Sequence, residues 1–243
     1  SIARIMRGLP CYNHLMSSRT LRVYLSAARR AAERAGVLLA AHAGRPKSVR
    51  TKLSAIDLVT EIDRASERLL HRAIIGRFPD HGFRGEERTR TNPDAPLQWI
   101  VDPLDGTMNF VHGVPVFAVS IGLQDRGRLV AGVIYDPTRR ELFTAIAGKG
   151  AKLNGHPIHV SPEKRLGRGL LSTGFSSKFR ANPTPYLRWF RAFQSQCHGV
   201  RRIGSTAVSL AYVACGRHEG FYEQDLCAWD IAAGLLLVQE AGG

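Results

Sequence analysis

The chain has 243 residues, 44% of them hydrophobic, enough to bury one large core or two modest ones. This composition excludes disordered and fibrous classes, and no apolar run approaches the roughly 20 residues that cross a bilayer. A formal net charge of +14 suits anionic partners such as phosphorylated metabolites, RNA or a membrane surface; a basic solvated surface is a slightly better reading than specific nucleic-acid binding, because no RNA-binding motif accompanies the charge.

From Ser1 to Arg50 arginines abound and Glu33 is the only acid. Arg-rich, acid-poor starts also mark organellar transit peptides. Here Thr20 to Ala43 is rich in alanine and leucine with helical periodicity and reads as part of the fold, leaving residues 1–17 as an extension. The cysteines Cys11, Cys197, Cys215 and Cys227 form neither a CxxC pair nor a framework spacing. Free, mostly buried thiols in a reducing compartment are expected, hence a cytoplasmic rather than an organellar setting, with no membrane partner.

In chain order, the first predicted helix is Leu21 to Ala41, ended by Gly44–Pro46. After a polar loop, Thr60 is placed to cap a second helix, Glu61 to Phe78, stopped by Pro79. Trp99-Ile100-Val101 is a short apolar run ending abruptly in Asp102, the pattern of a buried strand feeding a loop. Val116–Leu123, Leu129–Tyr135 and Glu141–Ala145 read as strands, parted by the turn sequences Asp125-Arg126-Gly127 and Asp136-Pro137-Thr138. Gly148–Pro162 is the best subdomain boundary, separating an α+β metal-binding part, 18–155, from an α/β substrate-binding part, 156–243. In the second part the pattern predicts helices near Pro185–Cys197 and Ser205–Cys215, strand Gly220–Glu223, and a last helix with Asp230 as N-cap, Ile231–Glu240 as its body and Gly242-Gly243 as its stop. Ending so soon after a helix stop, the sequence reads as truncated at its C-terminus.

The informative segment is Trp99-Ile-Val-Asp102-Pro-Leu-Asp105-Gly106-Thr107-Met-Asn-Phe110. Two carboxylates on one tight turn cannot both be buried and ionised without compensation. A hard divalent cation supplies it, and oxygen donors suit Mg²⁺ rather than Zn²⁺. Backbone N–H groups at Gly106 and Thr107 would face an anion. An isolated DxxD is most often a solvated turn, but further acids stand at Asp63, at Glu86-Glu87 after Gly85, and at Asp230 after Trp229. No GxSxG, HExxH or Walker A pattern offers a competing chemistry.

Together these residues resemble the inositol monophosphatase family. The resemblance runs from about Leu21 to Gly243 and rests on four motifs in matching order: Asp57-Leu-Val-Thr-Glu-Ile-Asp63, Gly85-Glu-Glu87, Trp99 through Phe110 with Val111-His112, and Trp229-Asp230 through Glu240-Ala-Gly-Gly243. It implies an α/β (α+β) fold, a layered α/β/α/β/α sandwich, in a homodimeric, lithium-sensitive, Mg²⁺-dependent phosphatase of inositol monophosphate that works by metal-activated water. It also implies roles. Glu86, Asp102 and the Leu104 carbonyl would hold one metal, and Asp102, Asp105 and Asp230 a second. Glu86 with Asp63 nearby would share a weaker third. Thr107, hydrogen-bonded to Asp63, would orient or deprotonate the attacking water. Gly106 and Thr107 amides would meet phosphate oxygens, Glu223 ring hydroxyls, Ser205 and Thr206 the substrate from a helix N-terminus, and Lys52 the metal region. For Glu223 a strand-end surface carboxylate is an equal reading, and for Lys52 a solvated lysine is the stronger one.

Met108 stands where a second Thr is usual and should lie outside the metal shell; His112 reads as structural, and Cys215 and Cys227 as core thiols. Phosphatases of fructose bisphosphate, histidinol phosphate and phosphoadenosine phosphate share the metal chemistry and stay as rivals. A bacterial branch of the family also acts in ribosomal-RNA transcription, and Arg201-Arg202-Ile-Gly-Ser-Thr with the +14 charge is compatible with binding RNA or the transcription machinery.

Overall fold

A computed structural model describes residues 16–44, 49–51 and 58–243. Lys52 and Asp57, and all but the last two residues of the 1–17 extension, lie outside the described residues.

Helix α1, Ser18–His42, starts where the Ser17 hydroxyl accepts the Thr20 amide at 3.1 Å, three residues ahead of the predicted start. Its buried stripe is nearly all alanine with Leu21 and Leu39, so the helix approaches its neighbours closely. Strands β1, Val49–Thr51, and β2, Leu58–Thr60, pair antiparallel before α2, Glu61–Ile75. That helix ends at Gly76, ahead of the predicted stop at Pro79. The next strands are β3, Gly82–Gly85; β4, Arg90–Thr91; β5, Leu97–Asp105; β6, Ala118–Asp125; β7, Arg128–Asp136; and β8, Glu141–Ile146. The turn between β6 and β7 is the expected one, with Arg126 and Gly127 both at positive φ. At the β7–β8 turn the Asp136 carboxylate accepts the Thr138 and Arg139 amides.

The expected boundary segment, Gly148–Pro162, instead contributes β9, Ala151–Leu153, and β10, His156–Ile158. These complete an eight-stranded mixed sheet in the order β10-β9-β8-β7-β6-β5-β3-β4. A second, three-stranded parallel sheet has the order β12-β11-β13, from β11, Leu170–Thr173; β12, Gly199–Arg201; and β13, Gly220–Tyr222. Helix α3, Thr107–His112, follows β5; α4, Thr184–Gln194, packs on β12; α5, Thr206–Ala214, and α6, Ala228–Glu240, pack together between the two sheets. The layers are therefore α1/α2, large sheet, α5/α6, small sheet and α4: the expected α/β/α/β/α sandwich.

Alternation on β6 separates two cores. Val119, Ile121 and Leu123 join Trp99 and Val101 beneath α1 and α2, while Ala118 faces α5 and α6 with Ile134, Phe143 and Ala145. On that second face Gly122 and Gly132 lie under α6. A Cβ on Gly132 would come within 3.0 Å of the Ala233 carbonyl oxygen, so the sheet admits the helix only because nothing projects there. That close seat fixes where α6 begins, and with it Asp230. Among the described residues no helix is long and apolar enough to cross a membrane. Cys197 and Cys215 are half-buried and Cys227 is exposed, all three as free thiols. The expectation of mostly buried thiols, with Cys215 and Cys227 in the core, is corrected: both stand at helix ends, where the chain is only partly covered.

Candidate active site

The starts of α2, α3, α5 and α6 and the ends of β3, β5 and β13 meet around Asp102. Strand β5 is buried on both faces from Trp99 to Leu104, so its polar residue there is buried with it, Asp102 at 2% exposure. Pairing with β6 shifts register between Asp102 and Asp105, a bulge at Pro103-Leu104. The bulge is held by the Leu104 amide, which donates to Asp102 Oδ1 at 3.0 Å, and by Ser66 Oγ, which donates to the Pro103 carbonyl at 2.9 Å. Gly106 then turns at φ 93° and caps α3, whose first turn has no side-chain cap, leaving its leading amides available. The Thr107 hydroxyl has one proton for two acceptors, Asp63 Oδ1 at 3.0 Å and the Leu104 carbonyl at 3.1 Å; the carboxylate is the stronger. Met108 is 41% exposed and points away, as expected of a residue outside the ligand set.

The remaining four carboxylates arrive from four elements. Glu86 follows the end of β3 and shares a side-chain hydrogen bond with Asp102. Asp105 lies across the start of α5: Ser205 Oγ and the Ala207 and Thr206 amides donate to it. Asp230 stands at the third position of α6, not at its N-cap. Cys227 takes that place, accepting the Asp230 amide while Asp230 accepts the Cys227 amide in return. This corrects the expected N-cap: the reciprocal pair starts the helix at Ala228, and a cysteine cap carries no ordinary sequence signal. Glu223, just beyond β13, accepts from the Thr206 hydroxyl at 3.1 Å.

The electrostatics are those of crowded carboxylates. Burial, then the charges of Glu86, Asp105 and Asp230, raise Asp102 well above the ordinary carboxylate range. Burial lifts Asp105 to about 6 against the opposing hydrogen bonds from Ser205 and the α5 amides. Asp230 reaches about 7, by burial first and then Asp105, Glu86 and Glu223, opposed by the Cys227 amide. Glu223 also reaches about 7 through burial, eased by Thr206. Among the described residues no three His, Cys, Asp or Glu side chains stand at coordination spacing, and Asp105 and Asp230 engage backbone amides. The fit to a hard cation rests instead on the donors, which are all oxygen, and on the mutual repulsion that a divalent charge relieves.

The structure brings together Asp63, Glu86, Asp102, Leu104, Asp105, Gly106, Thr107, Ser205, Thr206, Glu223 and Asp230. Within that set Ser205 and Thr206 touch Asp105 and Glu223 and act on the carboxylates. Two positioning residues escaped the sequence reading. Glu67, 1% exposed, accepts the Glu87 amide at 2.7 Å and the Thr89 amide at 3.0 Å and so shapes the Glu86 loop. Asn109 Nδ2 donates at 2.8 Å to both the Val116 and Ile203 carbonyls, tying α3 to the loop before α5. Glu67 lies four residues after Asp63 in α2, on the same helix face, and that spacing was its available signal.

In the fold these carboxyls hold protons more readily than in the unfolded chain. Their stabilising contribution is therefore present below about pH 4 and lost as pH rises through about 6 to 7. A divalent cation would take over as those protons leave. The Mg²⁺-induced rise in Tm is expected to be negligible near pH 5 and to grow towards about pH 8, read by scanning fluorimetry with and without Mg²⁺. An equal rise at both pH values would detach the metal from these groups.

A family model described as the inositol monophosphatase family matches residues 20–243. The Nus factor SuhB of Pseudomonas aeruginosa is 47% identical over 228 residues, covering 90% of this chain and 83% of that protein. The inositol-1-monophosphatase of Rhizobium meliloti is 42% identical over 212 residues, covering 86% and 80%. Among solved structures, the extragenic suppressor protein suhB of Bartonella henselae superposes with a TM-score of 0.86 at 41% identity, covering 90% of this chain and 85% of that one. Inositol monophosphatase from Anabaena gives 0.82 at 40% identity, covering 92% and 83%.

Proposed function

The chain belongs to the inositol monophosphatase family, and from that premise we propose that this phosphatase is Mg²⁺-dependent and releases phosphate from inositol monophosphate or a closely similar polyol phosphate. The observation that carries the reading is the group of buried carboxyls around Asp102, raised by burial and by one another. Glu86, Asp102, the Leu104 carbonyl, Asp105 and Asp230 would hold the metal. When bound, the metal supplies Lewis-acid stabilisation of charge on phosphate, water and leaving oxygen.

The chain's own groups account for the rest. Because the Thr107 hydroxyl donates to Asp63, its oxygen lone pairs are free to accept a hydrogen bond from water. As that water attacks phosphorus and the ester P–O bond breaks, its proton passes to Thr107 Oγ1 while the Thr107 proton passes to Asp63. The leading amides of α3, at Gly106 and Thr107, face the equatorial oxygens, and the released alkoxide takes a proton from solvent. Ser205 and Thr206 keep Asp105 and Glu223 oriented. Residues 18–155 would carry the metal ligands apart from Asp230, which reaches across on α6, together with the phosphate-facing Gly106 and Thr107, while 156–243 would supply Glu223 for the polyol. A homodimer accompanies the reading as the family resemblance implies it, and a cytoplasmic setting is supported by the bacterial relatives.

The polyol assignment is tested at Glu223. Glu223→Ala is expected to raise KM for inositol 1-phosphate roughly tenfold or more, about the loss of one or two hydrogen bonds, with little change for p-nitrophenyl phosphate. Equal effects on both esters would mean that Glu223 does not meet the ring hydroxyls. A second role, binding RNA or the transcription machinery, is supported by the Nus factor relatives and by the +14 charge. Salt-dependent RNA binding that survives loss of catalysis is its signature.

A further inference from the structure

On the outer side of α1, away from the carboxylates, lies an open hollow of about 510 Å³. Arg19, Arg22, Val23, Ser26 and Arg30 of α1 line it, at spacings that place them on one helix face, together with Arg77 from just beyond α2. Among the described residues no carboxylate lines the hollow and none of its four arginines pairs with an acid. The one acid in the first fifty residues, Glu33, faces Arg29 at 3.9 Å. Arg30 is oriented by a 2.8 Å hydrogen bond to Ser26 Oγ.

This arrangement works against local stability. Arg19 and Arg22 are like charges three residues apart, and Arg19 occupies a first turn that holds no acid, where the helix dipole disfavours a cation. A solvated basic face tends to interleave acids; here four exposed arginines line one open concavity, so their like charges add to a single positive field. We propose that the hollow binds a small oligophosphate anion. Guanidinium forks match phosphate oxygens, and four of them exceed what one phosphate group can engage. The volume lies in the range of sites for small organic ligands. The hollow is separate from the catalytic carboxylates: Asp63 is in the first turn of α2, Arg77 lies past its last, and the helix between them is about 22 Å long.

Isothermal titration of the full chain with sodium triphosphate, in metal-free buffer containing EDTA at fixed ionic strength, tests this directly. Without metal the carboxylate centre repels anions, so the hollow is the site observed. One site is expected, binding triphosphate at least about tenfold more tightly than orthophosphate. The double variant Arg22→Ser, Arg77→Ser should weaken triphosphate by about tenfold or more, with its far-UV dichroism and Tm retained. The pair Arg188→Ser, Arg191→Ser on α4 removes the same charge elsewhere and should leave the affinity unchanged. Absence of binding, equal affinity for orthophosphate, or equal loss in both double variants would overturn the proposal.

Discussion

Asp102→Asn is expected to reduce phosphate release from inositol 1-phosphate by roughly 10³-fold, about 4 kcal/mol of transition-state stabilisation. The fold should persist, because the amide keeps the size of the side chain and its Oδ1 can still accept from the Leu104 amide at the bulge. Removing a charge from so crowded a site should even stabilise the metal-free protein at neutral pH, since Asp102 is raised by burial and by three neighbouring carboxylates. Lower activity with unchanged or higher Tm in EDTA separates a ligand from a packing residue. A fully active variant would remove Asp102 from the metal set.

Gly106→Ala is the second large effect. The residue has φ 93°, and an added Cβ would lie 3.0 Å from the Val116 carbonyl oxygen and 3.3 Å from both the Gly204 carbonyl oxygen and Phe117 Cα. All three contacts are backbone, so no side chain can swing aside. Left-handed strain alone costs about 1–2 kcal/mol, and the crowding adds to it. The backbone shift falls between Asp105 and Thr107, so activity should drop about 10²-fold or more with the loss of stability. Chemical denaturation and steady-state kinetics on one preparation measure both. Wild-type stability together with wild-type kcat would show that this turn tolerates movement and does not position its neighbours.

Much of the site was legible because its chemistry sits in short local motifs. Asp102-Pro-Leu-Asp105-Gly-Thr107 announces a strand end, a stiff turn and two carboxylates without any long-range information. The layers were less legible from residues alone. The α1 alanine stripe and the apolar β5 mark buried elements, but the pairing of β11 with both β12 and β13 joins strands far apart in sequence, which local periodicity cannot report. Strands β9 and β10 were hidden among Gly and Pro because each is only three residues long. At α6 the cap rule chose the better-known cap residue, Asp230, over Cys227, although the reciprocal bond between them uses both. Ser205 illustrates a subtler limit. A serine at a helix start reads as a substrate contact or as a cap, and its hydroxyl here caps Val208 while also donating to Asp105, a partner one hundred residues away.

These interlocks make the proposed catalytic roles overlap with structural ones in this site. Asp105 orders the start of α5, Asp230 the start of α6, and Thr107 opens α3, so substitutions of these residues should change Tm as well as rate. Asp102 and Glu223 lie outside the helix caps, which makes them the cleaner probes of chemistry and of substrate choice.

The most direct measurement is phosphate release from inositol 1-phosphate by the purified chain, with Mg²⁺, with EDTA, and with Mg²⁺ plus Li⁺. Release that requires Mg²⁺, stops with EDTA and falls with Li⁺ is the expected result. Release that continues undiminished in EDTA, or none from folded, Mg²⁺-loaded protein, would contradict the assignment.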